Sequence, residues 1–187
     1  MNIRHKIIIA SGLIGIAVIS RFVPHLWNMT PVGAVAILAG ARLGKWWGIG
    51  VPLVVMAMTD PILGLAGLPI MLVIYGSFAL YGLVGFLMKE TNRTRAVIGG
   101  SLFGTLSFFF ATNFAVWFFG TMYPHNFSGL MTSYVAGLPF LQNQIIGDLF
   151  FTATLFLIWE LGLVLAHKLR PNSKMNVCVS GKSNIVV

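Results

Sequence analysis

From Ala96 to Gly147 the chain carries no Asp, Glu, Lys or Arg. No water-soluble fold of 187 residues can bury so long an uncharged and largely apolar stretch, because small domains leave much of their surface in contact with solvent. The bilayer is the solvent that accepts it. The rest of the chain agrees: 57% of residues are hydrophobic and 9% charged, against about 25% charged in soluble domains. The length suits one helical bundle without a second domain.

The formal net charge is +8, which by itself would suit a nucleic-acid partner. The placement of the charges excludes that reading. Arg4, Lys6, Arg42, Lys45, Lys89, Arg93, Arg95, Lys168, Arg170, Lys174 and Lys182 lie outside the apolar runs or at their ends. This is the pattern of a membrane protein whose basic loops face the cytoplasm, with anionic lipid headgroups as their surroundings. The single cysteine, Cys178, permits no disulfide or cysteine cluster within one chain. Met1 to Lys6 followed by Ile7 to Ile19 has the layout of a signal peptide, with Val18-Ile19-Ser20 a loose cleavage match. Arg21 follows directly, and the reading kept is a retained first helix.

The apolar runs predict an all-α integral membrane protein, a bundle of six transmembrane helices in a single domain over residues 1–170. The helices are expected at about 7–23, 31–41, 46–65, 69–88, 96–119 and 139–167. A flexible cytoplasmic tail is expected over 171–187. A straight span needs about 20 residues, so the second segment is short and is expected to be kinked or sheltered by its neighbours. With both termini cytoplasmic, eleven of the twelve Lys and Arg residues fall inside and only Arg21 outside, which also makes the short segment a true crossing. The longest outer connection, Gly120 to Leu138, is expected to fold back as a gate. Small residues recur four apart at Ala36, Gly40, Gly44 and Gly48, at Gly100 and Gly104, and at Ser11 and Gly15. Such spacing lets helices approach closely in lipid, within one protein or against another.

Ionisable and amide side chains inside a membrane are costly, so each is a candidate for function. Gln144, Asp148 and Thr152 are four apart and share one face of the sixth segment. Asp148 lies roughly 13 Å from the outer end at helical rise. Thr105, Phe109, Asn113 and Trp117 line a face of the fifth segment. Asp60 stands near the outer end of the third, and the outer loops add His25, Asn28, Tyr123, His125 and Tyr134. Together they suggest an outward cavity with an aromatic lining and a few hydrogen-bonding groups, as small-molecule sites have. The ligand-binding set is therefore Asn113, Asp148, Trp117, His125, Tyr123, Asp60, His25, Asn28, Tyr134 and Gln144. A purely structural role is the alternative, with Asp148 pairing with Arg21 or hydrogen-bonding to Asn113. Glu160, nearer the inner end, stands apart from this set.

No catalytic motif is present: neither an H-E-x-x-H helix, nor a G-x-S-x-G elbow, nor a Walker sequence. No cofactor is indicated, and the histidines His5, His25, His125 and His167 lie at helix ends or in loops. His25, His125, Asp60 and Asp148 are metal-ligand types without a metal-site spacing.

From about Arg21 to Glu160 the chain resembles an uncharacterised bacterial family of small multi-pass membrane proteins. The resemblance lies in Arg21-Phe22-Val23-Pro24-His25, Asn28-Met29-Thr30-Pro31-Val32-Gly33-Ala34, Tyr75-Gly76-Ser77-Phe78-Ala79, Thr112-Asn113-Phe114-Ala115-Val116-Trp117, Met122-Tyr123-Pro124-His125 and Gly147-Asp148. More distantly the layout is similar to the S components of energy-coupling-factor vitamin transporters. The shared features are the small-residue second segment, the turn Leu43-Gly44-Lys45-Trp46-Trp47-Gly48, six segments and an outward polar cluster. That likeness implies a substrate-binding subunit for a vitamin-like ligand, partnered by a transmembrane coupling protein and ATPases. In place of the two alanines four apart that such proteins often carry in the first helix, this chain has Ser11 and Gly15. The alternatives are a membrane enzyme acting on a lipid or quinone-like substrate, with Asp148 and His125 as acid and base, and an assembly protein without a ligand.

Overall fold

The computed structural model describes residues 1–24, 28–89 and 94–168. Six helices occupy them: α1 (Ile3–Phe22), α2 (Val32–Leu43), α3 (Lys45–Leu63), α4 (Leu68–Leu87), α5 (Thr94–Phe119) and α6 (Phe127–Lys168). The described residues contain no strand. Five of the helices are long and apolar enough to cross a membrane; α2 is shorter. The chain divides into two compact units, Met1–Phe156 and Leu157–Val187. In the second, the described part is the end of α6, where Leu157, Ile158, Leu161 and Val164 are exposed. The expected tail over 171–187 lies outside the described residues.

The 12-residue α2 is apolar up to Arg42 and too short for a straight span, and it is enclosed by protein. Every residue from Val32 to Ala41 is buried, as is Leu43. It packs between α3 and α4, with α1 and α5 also against it. The outer helices instead turn large apolar side chains outward, among them Ile8 and Ile19 on α1, Met58 and Ile62 on α3, and Phe103 and Phe110 on α5. An apolar surface of this extent suits lipid rather than water.

Gly44 alone joins α2 to α3, at φ +113°, a conformation that favours glycine. Its N–H caps α2 through the Ala39 carbonyl at 3.1 Å, while its own carbonyl accepts from the Gly48 N–H at 3.0 Å and starts α3. Lys6 Nζ donates to the Leu43 carbonyl at 2.7 Å, a cation at a helix C-terminus where the dipole favours it. Glycines then bring α2, α3 and α4 into backbone contact. A Cβ on Gly82 would overlap the Gly48 carbonyl oxygen, one on Gly40 would overlap the Gly82 carbonyl, and one on Gly85 the Ile37 carbonyl. The Gly48 carbonyl is free to face Gly82 because Pro52, four residues on and inside α3, has no N–H to donate. The small-residue row through Ala36, Gly40 and Gly48 is thus spent on internal packing. On α1, by contrast, no heavy atom lies within 4 Å of a Cβ built on Gly15.

The helix α6 starts twelve residues before the expected Pro139, which lies within it. The cause is a cap: Asn126 Oδ1 accepts the Gly129 N–H at 2.8 Å, the hydrogen bond an N-cap side chain makes to the third helical residue. Gly129 itself is required because a Cβ there would overlap the Pro124 carbonyl. The connection from α5 is therefore only Gly120 to Asn126, and residues 127–138 form a helical turn-back rather than a gate-like loop. The buried residues Gly129, Ser133 and Gly137 carry the stripe of Gln144, Asp148 and Thr152 back toward the α6 N-terminus.

Candidate functional site

In the middle of the bundle three helices meet through polar side chains. Tyr81 on α4 donates its hydroxyl proton to Asp148 Oδ2 on α6 at 2.6 Å. Thr105 on α5 lies 2.7 Å from the same oxygen and 3.0 Å from the Ser101 carbonyl. It has one proton to give, and the carboxylate is the nearer acceptor. Gln144 Nε2, one turn before Asp148, donates to the Tyr81 oxygen at 3.1 Å. One turn beyond, Thr152 and Ser101 hydroxyls stand 3.4 Å apart. Asp148, Gln144, Tyr81, Thr105 and Thr152 are all buried. Two glycines make room: a Cβ on Gly33 would lie 2.8 Å from Asp148 Oδ1 and 2.8 Å from the Tyr81 ring, and one on Gly104 would press on that ring at 2.6 Å.

A second polar pair lies at the ends of α1 and α3. Arg21 donates to Asp60 Oδ1 at 2.8 Å, and its other terminal nitrogen contacts Met56 Sδ. Both side chains are mostly covered, with 16% and 10% of their surface exposed. Arg21 therefore belongs to Asp60 and not to Asp148.

Between these two groups is a cavity of about 580 Å³. Its polar walls are Arg21, Asp60, Asn28, Thr30, Gln144 and Asp148; apolar walls include Phe22, Met56, Met71, Ile74, Phe78 and Phe108. The Phe78 and Phe108 rings touch, with centroids 5.1 Å apart. Asn28 sits in the left-handed region at φ 61°, which a short polar side chain tolerates. The lining comes from the C-terminal ends of α1 and α3, Met71 to Phe78 of α4, Phe108 near the middle of α5, and Gln144 and Asp148 in the middle of α6, with Gly33 at the start of α2. Helices α1 and α3 thus end toward the cavity, while α2 and α4 start there.

Of the expected ligand-binding residues, Asp148, Gln144, Asp60 and Asn28 line this cavity. Asn113, Trp117, Tyr123, His125 and Tyr134 do not line it. Asn113 Nδ2 donates to the Phe109 carbonyl in its own helix at 2.9 Å, and its carbonyl accepts from Ser133 at 2.9 Å. It makes no hydrogen bond to Asp148. Trp117 Nε1 donates to the Pro124 carbonyl at 3.0 Å, and its ring meets that of His125 edge-on at 6.0 Å. His125 Nε2 is 3.2 Å from the Gly120 carbonyl, and Tyr134 donates to the Phe110 carbonyl at 3.3 Å. Tyr123 lies half-buried in the same short connection. The bonds of Asn113, Trp117, His125 and Tyr134 hold the α5–α6 hairpin together. His25 lies outside the described residues. Among the described residues no three His, Cys, Asp or Glu side chains converge in a metal-binding group.

Tyr81, Arg21 and Gly33 are absent from the expected set. Tyr81 had a signal: a phenol within an apolar helix seeks a partner when buried. Arg21 had one too, as the lone basic residue at the opposite end of the spans. Gly33 had none, since its role appears only when Asp148 is placed beside it.

Together these features describe a helical protein, five of whose helices are long and apolar enough to cross a membrane, with a partly polar cavity among its helices. The chain belongs to the family of unknown function DUF6580, whose profile matches residues 1–170. Neither a curated protein nor a solved structure matches the chain.

Proposed function

We propose that this protein is a six-span protein of the bacterial inner membrane, with both termini cytoplasmic, that binds a small molecule in the cavity for uptake. The observation that carries the reading is the cavity of about 580 Å³, in which Asp148, Gln144 and the Arg21–Asp60 pair share the walls with Phe78 and Phe108. A few fixed polar groups in an apolar, aromatic hollow of several hundred cubic ångströms are the ordinary equipment of a small-molecule site. The alternation of α1 to α4 about the cavity supports the short α2 as a true crossing. The basic residues Lys6, Arg42, Lys45 and Lys89 lie near the helix ends away from the cavity, which supports an outward-facing site. A substrate-binding subunit like the S components of vitamin transporters is the role this fits best, with a transmembrane coupling protein and ATPases supplying the energy.

The test is native mass spectrometry of the protein purified gently from its own host. A defined small-molecule adduct that disappears in Asp148→Asn supports the reading. A clean apo spectrum, under conditions that preserve a known membrane protein–ligand complex, counts against it.

A purely structural role is the second reading, favoured by the way Tyr81, Thr105 and Asp148 tie three helices together. It expects Asp148→Asn to act through thermal stability alone, with no adduct in either protein.

A further inference from the structure

The two buried carboxylates differ in one respect. Asp60 has its counter-charge, Arg21, at 2.8 Å. Asp148 has none: the groups that bond it are the neutral Tyr81 and Thr105 hydroxyls. Both of those bonds end on Oδ2. They fix the carboxylate's direction and leave Oδ1 beside Gly33, where both residues line the cavity. Gln144 holds the Tyr81 oxygen from the other side, so the phenol proton is aimed at Asp148 and not at the cavity.

A carboxylate with 3% of its surface exposed and no cation beside it is expensive to keep ionised. A ligand bringing a positive charge would offset that cost. Two aromatic rings on the wall, Phe78 and Phe108, suit the same charge, because the faces of aromatic rings attract cations. Arg21 is already engaged by Asp60 and Met56, so the cavity holds no unengaged cation to attract an anionic ligand. We propose that the cavity's ligand is an organic cation, with a protonated or quaternary nitrogen set against Asp148 Oδ1 and an apolar or aromatic body against Phe78, Phe108 and Met56. This rests on the reading of the cavity as a ligand site.

The experiment compares three probes of one skeleton on the purified full chain in detergent: tryptamine, a cation; tryptophol, neutral; and indole-3-acetate, an anion. Thermal unfolding at graded probe concentrations gives their relative affinities. Tryptamine is expected to raise the unfolding temperature, with an affinity at least about tenfold above the other two, a difference of about 1.4 kcal/mol. Asp148→Asn, which keeps an oxygen for Tyr81 and Thr105 but lacks the charge, is expected to abolish the preference. Tryptophol binding as well as tryptamine, a preference that survives in Asp148→Asn, or no response to any probe would overturn the charge assignment. If Asp148→Asn does not fold, the wild-type comparison of tryptamine with tryptophol decides alone. A native adduct of a neutral or anionic compound would sink this inference while leaving the cavity a ligand site.

Discussion

The Tyr81 hydroxyl and Asp148 Oδ2 stand 2.6 Å apart and join α4 to α6 across 67 residues of sequence. Gln144 and Thr105 complete the arrangement, so that the buried phenol both accepts and donates. Removing that hydroxyl leaves Gln144 Nε2 without this acceptor and Asp148 with one donor fewer.

Tyr81→Phe is therefore expected to destabilise the protein by about 1–3 kcal/mol, the usual cost of orphaning a buried polar group. Thermal unfolding in detergent would measure it. An unchanged midpoint would mean that the Tyr81–Asp148 bond is not formed in the folded protein.

Breaking the Arg21–Asp60 pair on one side leaves a covered charge alone. Arg21→Met should cost about 3 kcal/mol, whereas the double change Arg21→Met with Asp60→Leu should recover much of the loss. A double variant no more stable than the single one would show that the pair contributes little through its charges.

The glycines separate cleanly by what a methyl group would meet. Gly82→Ala drives a Cβ into the Gly48 carbonyl and should lower the yield of folded protein sharply, since neither backbone can retreat without parting α3 from α4. Gly76→Ala, in the same helix with no heavy atom within 4 Å of its Cβ, should be neutral or stabilising by up to about 1 kcal/mol. Equal behaviour of the two variants would refute the close packing of α2, α3 and α4.

Gly33→Ala tests the site more gently. Its methyl would meet Asp148 Oδ1 and the Tyr81 ring, each at 2.8 Å, so the carboxylate must shift by some tenths of an ångström. Ligand capture should fall more than stability does, read as loss of the native adduct with only a small change in unfolding midpoint.

The topology is open to labelling. In a Cys178→Ser background, a cysteine at Leu65, between α3 and α4, should react with an impermeant maleimide on intact spheroplasts. One at Trp46, 77% exposed at the start of α3, should react only after the membrane is opened. The reverse pattern would invert the protein in the membrane.

Much of this arrangement was legible in the chain. The four-residue spacing of Gln144, Asp148 and Thr152 declared a common face, and the structure uses all three on one side of α6. The fifth segment's row of Thr105, Phe109, Asn113 and Trp117 was also visible, yet only Thr105 meets Asp148. Spacing along a helix says which residues share a face, not which level of that face meets a neighbour. The short α2 could be read as kinked or sheltered because it is too short for a straight span. The start of α6 was hidden because Asn126, Ser128 and Gly129 serve equally as loop residues and as a helix cap; the Asn126 side chain decides it by bonding to Gly129. The partner of Arg21 was hidden as well, since pairing across 39 residues depends on how α1 lies against α3.

The helix α2 spans about 18 Å at helical rise, well short of a hydrocarbon core of about 30 Å, and hardly any of its surface is exposed. Such a segment has little to gain from the bilayer by itself and depends on its neighbours for nearly all its favourable contacts. During synthesis it is therefore expected to enter the membrane as a hairpin with α3, folded about the single residue Gly44, and to settle only when α4 arrives to enclose it.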